Sequence, residues 1–253
     1  MRCRVVKVGG SALADPGWLG RFATSVAGAA DRLVVVHGGG PEMDDVSMRL
    51  GVAVERVAGL RVTTPEALDV AVMVLSGRTN KRLVSALLDA GVDAVGLSGE
   101  DGGLLLAEVA DDGALGRVGN VVRVRVELLV QLLGAGVTPV ISPVSRGTSG
   151  GARNVNADDA ASAVAVALGA EELLFLTDVD GVRAGGLVRS DLDVAEAASL
   201  VTSGEASGGM AVKLDAATRA IEGGVPMARI GGLGALTDRH AGTRVLARMA
   251  VVQ

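Results

Sequence analysis

The chain has 253 residues, nearly half of them apolar, and a formal net charge of −5, a balance that disfavours nucleic acid and anionic membrane surfaces as partners. Its only aromatic residues are Trp18, Phe22 and Phe175, too few for the stacking platforms that single-stranded nucleic acid needs. The single cysteine, Cys3, rules out an internal disulfide and fits a reducing, cytoplasmic setting, and the length buries a substantial core as one large domain or two small lobes.

The first strand is predicted at CRVVKV (3–8), which leaves no room for a signal peptide. A helical segment, WLGRFATSVAGAADR (18–32), leads to a strand in LVVVHGGG (33–40), and PEMDDVSMRLG (41–51) is helical again. In TPEALDVAVMVLSG (64–77), Thr64 caps a helix and Pro65 suits its first turn. A second helix, NKRLVSALLDAG, precedes the strand VDAVGLSG. The stretch 104–126 reads as hairpins with turn signals at DDG and GN. The pairs VELLVQLLGAG/VTPVISPV, ADDAASAVAVALGA/EELLFLTDVDG and MAVKLDAATRAIEGG/VPMARIGG each place a helix before a strand. Apolar runs break well short of the ~18–20 residues that span a bilayer. Aliphatic strands alternating with helices predict an α/β fold, a three-layer αβα sandwich with a mainly parallel open central sheet. TSGGAR (148–153) reads as a loop over a site or a lobe boundary.

Three glycine clusters, VVKVGGS, VVVHGGGP and VGLSGEDGG, follow predicted strands, where open parallel sheets bind ligands and glycine lets backbone N–H groups approach an anion. No GxxxxGK[ST] occurs, and no GxGxxG follows the first strand, so neither a P-loop nor a simple dinucleotide site is expected. Only three of the 24 Lys and Arg residues are lysine, Lys7, Lys81 and Lys213. Lys7 directly precedes the first glycine pair, and SGGMAVKLDAA places Lys213 in the first turn of a helix, unfavourable there unless an anion lies close. In RNVNADDAAS, Asn156 or Asp158 is a candidate helix cap.

KVGGS, HGGGP, GLRVT, NKRLV, VGLSGEDGGLL, NVNADDAA, LTDVDGV and GGMAVK, in this order and spacing, resemble the amino-acid kinase superfamily, and within it the N-acetyl-L-glutamate kinases. The resemblance runs from Lys7 to about Thr243. It implies ATP-dependent phosphorylation of the γ-carboxylate of N-acetyl-L-glutamate, with ATP and Mg²⁺ as cofactors. It also implies an N-terminal lobe (1–165) for the amino-acid substrate and dimerisation, and a C-terminal lobe (166–253) for nucleotide. Carried over residue by residue, Lys7 and Lys213 contact the transferring phosphoryl group and Asp158 orients both. Gly38, Gly39 and Gly40, with Arg61 and Asn154, bind the acceptor. Gly9, Gly10, Thr177, Asp178, Gly181, Gly209 and Met210 bind the nucleotide. The metal is expected to sit on phosphate oxygens and water without a carboxylate cage.

The opening KVGGSAL is nearer the form of aspartate and aminoadipate kinases, and the segment after Gly231 is shorter and more degenerate than the family's usual ending. A kinase for carrier-protein-linked α-aminoadipate or glutamate is the closest rival, and HGGGP and GLRVT favour free N-acetylglutamate over it. A non-catalytic ligand-binding member would be expected to lack one of Lys7, Asp158 and Lys213. Arginine-inhibited relatives carry an extra N-terminal helix; with a strand starting at residue 3, the resemblance implies a homodimer that does not respond to arginine. Lys81 reads as a helix-surface charge, His37 as a structural strand-end residue, and His240 as a surface residue.

Overall fold

A computed structural model describes residues 2–57 and 60–247, apart from the side chains of Leu60 and Asp112. The chain runs β1 (Cys3–Val8), α1 (Gly10–Leu13), α2 (Pro16–Ala27), β2 (Arg32–His37), α3 (Gly40–Arg49), β3 (Arg56–Val57), β4 (Leu60–Arg61) and α4 (Pro65–Ala71). It continues through a π-helical stretch (Val72–Thr79), α5 (Asn80–Asp89), β5 (Ala94–Gly99), β6 (Leu105–Val109), β7 (Gly119–Val124), α6 (Val126–Gly134), β8 (Thr138–Gly147) and β9 (Ala152–Asn154). Then follow α7 (Ala157–Leu168), β10 (Glu172–Leu176), β11 (Arg183–Ala184), β12 (Leu187–Val188), β13 (Asp191–Asp193), α8 (Val194–Thr202), α9 (Gly208–Glu222), β14 (Ala228–Gly231) and β15 (Thr243–Leu246).

Eleven strands form one sheet, in the order β13-β15-β14-β10-β1-β2-β8-β6-β7, with β5 and β9 also pairing β8. The strands β14, β10, β1, β2, β8 and β5 are parallel to their neighbours along this path, and antiparallel pairs occur at β14–β15, β6–β7 and β8–β9. The expected mainly parallel αβα sandwich is present.

β1 lies between β10 and β2, and its register places Val8 opposite both Leu176 and His37. The three strands therefore release Gly9, Thr177 and Gly38 at one level. Side chains alternate across a strand. Val6 and Val8 face a core completed by Leu19 and Phe22 of α2 and Leu83 and Leu87 of α5. Val5 faces the other core, with Phe175, Ala160, Ala161 and Val164 of α7, and Ala216 and Ala217 of α9. Lys7 shares the parity of Val5, so the backbone alone aims its ammonium toward α7 and α9.

Several sequence boundaries shift. The helix expected over 18–32 starts at Pro16, because Asp15 accepts from Gly17 N, and ends at Ala27. The helices expected at 64–77 and 80–91 are joined without a break: Thr64 caps the start by accepting from Ala67 N, and the π-helical stretch carries the chain through Ser76 and Gly77 into α5. The segment 104–126 contains a single β6–β7 hairpin; GN opens β7 instead of forming a turn, because Asn120 pairs with Glu108. TSGGAR is the turn between β8 and β9, with Gly150 and Gly151 at positive φ, and not a lobe boundary. Residue 165 lies within α7. Among the described residues no helix is long and apolar enough to cross a membrane.

One buried ionic cluster lies at the opposite end of the parallel strands from the glycine turns. Arg4 Nε donates to Glu172 Oε2 (2.5 Å) and Arg229 Nε to Glu172 Oε1 (2.6 Å), with all three residues essentially inaccessible to water. The rest of the Arg229 guanidinium binds the carbonyls of Ala235, Asp238 and Ala241, and Arg4 Nη1 binds Leu236 O. The two arginines thus fasten the irregular 235–241 segment to the sheet. Removing the shared carboxylate leaves the buried Arg229 guanidinium without a counter-ion and Arg4 with only the partly exposed Asp31. Glu172→Gln is expected to destabilise the fold by about 3–5 kcal/mol, read as a fall in the midpoint of urea unfolding; a shift within error of zero would show the cluster to be energetically idle.

Candidate active site

A cleft of about 240 Å³ opens at the C-terminal ends of β1 and β2, with Lys7, Gly10, Gly39, Arg61, Asn154 and Asp158 in its wall. Lys7 Nζ donates to Asp158 Oδ2 (2.9 Å), and Lys213 Nζ approaches Asp158 Oδ1 (3.6 Å). One buried carboxylate therefore holds two ammonium groups, one from β1 and one from α9. Burial pushes the Lys7 ammonium below the ordinary lysine range, Asp158 opposes that fall and the charge on Lys213 adds to it. Asp158 Oδ1 is fully buried with no hydrogen-bond partner.

Asp158 is free for this task because Asn156 takes the capping role, accepting from the backbone N–H of Asp158 (2.8 Å) and Asp159 (3.4 Å) at the start of α7. Lys213 lies one turn further into its helix than expected, since α9 begins at Gly208; its Nζ folds back to within 3.4 Å of Gly209 O. Two helices of ten and fifteen residues, α3 and α9, begin without a side-chain cap. Their first-turn N–H groups are thus open to an anion.

The first two glycine clusters are in direct contact. A Cβ on Gly10 would lie 2.7 Å from Gly39 Cα, so a larger residue there would push the two turns apart, while one on Gly39 would lie 2.6 Å from the Leu75 side chain, which would have to shift. Gly38 does not offer its N–H to a ligand, because it donates to Val8 O (3.0 Å) and continues the β1–β2 ladder. The third cluster stays outside the cleft. Asp101 Oδ2 accepts from Ser98 N and Ser98 Oγ there, and Gly99 packs against Leu105 and Ser145, so it is an ordinary strand-to-turn junction.

Asn154 lies on β9 and donates to Thr63 Oγ1 (3.0 Å); Arg61 pairs with Asp44 and its side chain is 10% exposed. Gly59, which opens GLRVT, lies outside the described residues. Of the residues assigned to nucleotide, Gly9 stands beside the end of β10, 3.7 Å from Leu176 O as measured from its ideal Cβ. Thr177 Oγ1 donates to Asp178 Oδ1 on the half-exposed turn beyond β10. Gly209 and Met210 open α9, one turn before Lys213. Gly181 is a packing position: a Cβ there would meet Thr243 Oγ1 at 2.6 Å.

Several residues around the cleft escaped the sequence reading. Glu42, on α3, accepts from Thr79 and from both ends of the Arg82 guanidinium, and pairs with Arg78; Arg82 also reaches Leu13 O. This network ties α1, α3 and α5 around the glycine contact. Arg56 lines the cleft and shares Asp44 with Arg61. The sole sequence signal was the alternation of acids and arginines in this region, which reads equally as a solvated face. Lys81 is exposed on α5, as expected, and donates to Gly96 O (3.0 Å) and Asn80 Oδ1 (3.1 Å).

The chain matches the model of the amino acid kinase family over residues 2–232. It is 50% identical to the acetylglutamate kinase of Rubrobacter xylanophilus, over 97% of this chain and 96% of that one. The acetylglutamate kinase of Chloroflexus aurantiacus is 45% identical, over 95% of each chain. The N-acetylglutamate synthase of Neisseria gonorrhoeae, solved with coenzyme A and N-acetyl-glutamate, superposes with a TM-score of 0.85 at 27% identity, covering 98% of this chain and 60% of that one.

His37 is structural, as expected. It is fully buried, its Nδ1 lies 3.0 Å from Gly38 O, and its Nε2 lies 3.1 Å from Asn80 Nδ2, which requires Nδ1 to carry the proton and Nε2 to accept. Burial lowers its pKa to about 4. Below the unfolded value of about 6.5 the unfolded chain takes up a proton that the folded one refuses, so stability falls with pH across the window from about 6.5 to about 4. Over that window His37 should cost about 3 kcal/mol in unfolding free energy. By NMR, one imidazole should hold its neutral chemical shift until pH nears 4; titration of both histidines above pH 6 would contradict this assignment.

Proposed function

We infer the function of this chain from the premise that it belongs to the amino acid kinase family. It is a phosphotransferase with a carboxyl acceptor, and it transfers phosphate from ATP to the γ-carboxylate of N-acetyl-L-glutamate, as supported by near full-length identity of 45–50% to acetylglutamate kinases. The carrier-linked rival is not favoured.

The observation that carries the mechanism is the Lys7–Asp158–Lys213 bridge facing Arg61 and Asn154 in one cleft. In this proposal the two ammonium groups contact the equatorial oxygens of the phosphoryl group in flight, where spreading negative charge is the main thing a protein can stabilise. Asp158 holds the lysines at fixed separation and offsets their mutual repulsion. A lysine suits each position because a compact ammonium occupies less of a crowded site than a planar guanidinium. Arg61 and Asn154 bind the acceptor's other carboxylate, through a fork matched to two oxygens in the case of arginine. Gly39 and Gly40, at the open start of α3, and Gly9 and Gly10 bring backbone close to the phosphates and the acceptor; Gly38 contributes by holding that backbone in place. Thr177, Asp178, Gly209 and Met210 border the nucleotide, with Gly181 keeping the turn close-packed.

Asp158 serves Lys7 and Lys213, and Asp44, beside the cleft, serves Arg56 and Arg61. Mg²⁺ would enter on the nucleotide, held by phosphate oxygens and water, and would neutralise phosphate charge there. We assign residues 1–165 to acceptor binding and dimerisation and 166–253 to nucleotide, in a cytoplasmic homodimer serving arginine biosynthesis.

Incubation with MgATP and N-acetyl-L-glutamate should yield an acyl phosphate that hydroxylamine traps as a hydroxamate; product formed only from a carrier-linked acceptor would move the assignment. Lys7→Arg and Lys213→Arg should each lower kcat by ~10²–10³ despite retaining charge, whereas Lys81→Arg should be nearly silent. Equal losses at all three positions would refute these roles. Arg61→Ala should raise KM for the acceptor far more than KM for ATP, and the reverse pattern would place it in the other half of the site. Light scattering should return the mass of a dimer.

A further inference from the structure

The cleft that Lys7 lines also holds two arginines that share one carboxylate, and half of that group has no assigned role. β3 and β4 form a two-stranded antiparallel ribbon in which Arg56 lies directly opposite Arg61. Directly opposed residues project to the same face of a ribbon. Both side chains reach Asp44 on α3: Arg61 Nη2 binds Oδ1, and Arg56 Nη2 binds Oδ2 (2.6 Å). Both also line the cleft that holds Lys7 and Asp158.

Three features distinguish this arrangement from a clip that fastens the ribbon to α3. One guanidinium suffices to neutralise one carboxylate, so the second leaves this wall with a net charge of +1 facing the cleft. All the hydrogen bonds these two side chains make among the described residues come from Nη2, which leaves Nε and Nη1 of both free for a ligand. Asp44 fixes the spacing of the two guanidiniums, since each of its oxygens holds one of them through Nη2. Lys7, Arg56 and Arg61 line one cleft, with Lys213 held at its edge on Asp158, a set of cations that suits an acceptor carrying more than one anion.

We propose that Arg56 is a second ligand for the non-reacting carboxylate of the acceptor, acting beside Arg61, and that Asp44 positions the pair. This assignment rests on the reading that the chain phosphorylates N-acetyl-L-glutamate. Arg56 then sets specificity: it favours acceptors whose far end bears a full negative charge over those in which that end is neutral.

The test compares N-acetyl-L-glutamate with its α-amide, which keeps the reacting γ-carboxylate but removes the charge at the other end. The wild-type protein should prefer the acid in kcat/KM. Arg56→Gln should lower kcat/KM for the acid by about tenfold or more, through KM for the acceptor and not through KM for ATP. It should affect the amide far less, so that the acid-to-amide preference falls by a similar factor. Arg56→Lys, which keeps charge without the fork, should retain part of the preference and carries the same comparison if Arg56→Gln does not fold. Equal losses for acid and amide in these variants would show Arg56 to be a structural clip and overturn the proposal. Absence of wild-type turnover of N-acetyl-L-glutamate, by contrast, would overturn the functional reading itself, and this inference with it.

Discussion

The arrangement at the cleft depends on one carboxylate. Asp158 sits at the start of α7, 7% exposed, between an ammonium from the central strand and one from α9. Without it, Lys7 and Lys213 would repel each other in a site where burial already disfavours the charge on Lys7. With it, two cations from elements more than two hundred residues apart are held at one place before any ligand arrives. Preorganised charge of this kind is what phosphoryl transfer requires, since little solvent or side-chain reorganisation is left for the reaction step.

That geometry is a consequence of sheet register. β1 is flanked on both sides by parallel strands of matching length, so three chain segments turn at the same level and deliver the first two glycine turns side by side. The close approach of Gly10 and Gly39 leaves no space for a Cβ on Gly10, and the Glu42–Arg82 network holds the helices that begin there. At the opposite end, Arg4, Glu172 and Arg229 secure β1, β10 and β14 to the segment that follows β14. The cleft end of the sheet is rich in backbone donors and uncapped helix starts, while the far end is closed by buried ion pairs.

The same device, two cations sharing an acid, recurs with arginine at Asp44. In the proposed mechanism the lysine pair supplies compact charge and the arginine pair a fork, which gives a reason for Lys7 and Lys213 to be lysine in a chain with only three.

By itself the sequence determined the order and type of nearly all the main elements, because valine-rich runs and helical periodicity are local signals. It also singled out Lys7 and Lys213 by their places beside glycine pairs, and the family resemblance of its motifs marked Asp158, Arg61 and Asn154. Only the tertiary structure decided the rest. Asn156 rather than Asp158 caps α7, the third glycine cluster stands apart from the cleft, Gly38 spends its N–H within the sheet, and two predicted helices run together through a π-helical stretch. Arg56, Asp44 and Glu42 gained their places in the same way. Each of these outcomes turns on which partner a polar group finds across the fold, and local pattern cannot carry that information: a hydrogen bond between distant segments leaves no periodicity in either one.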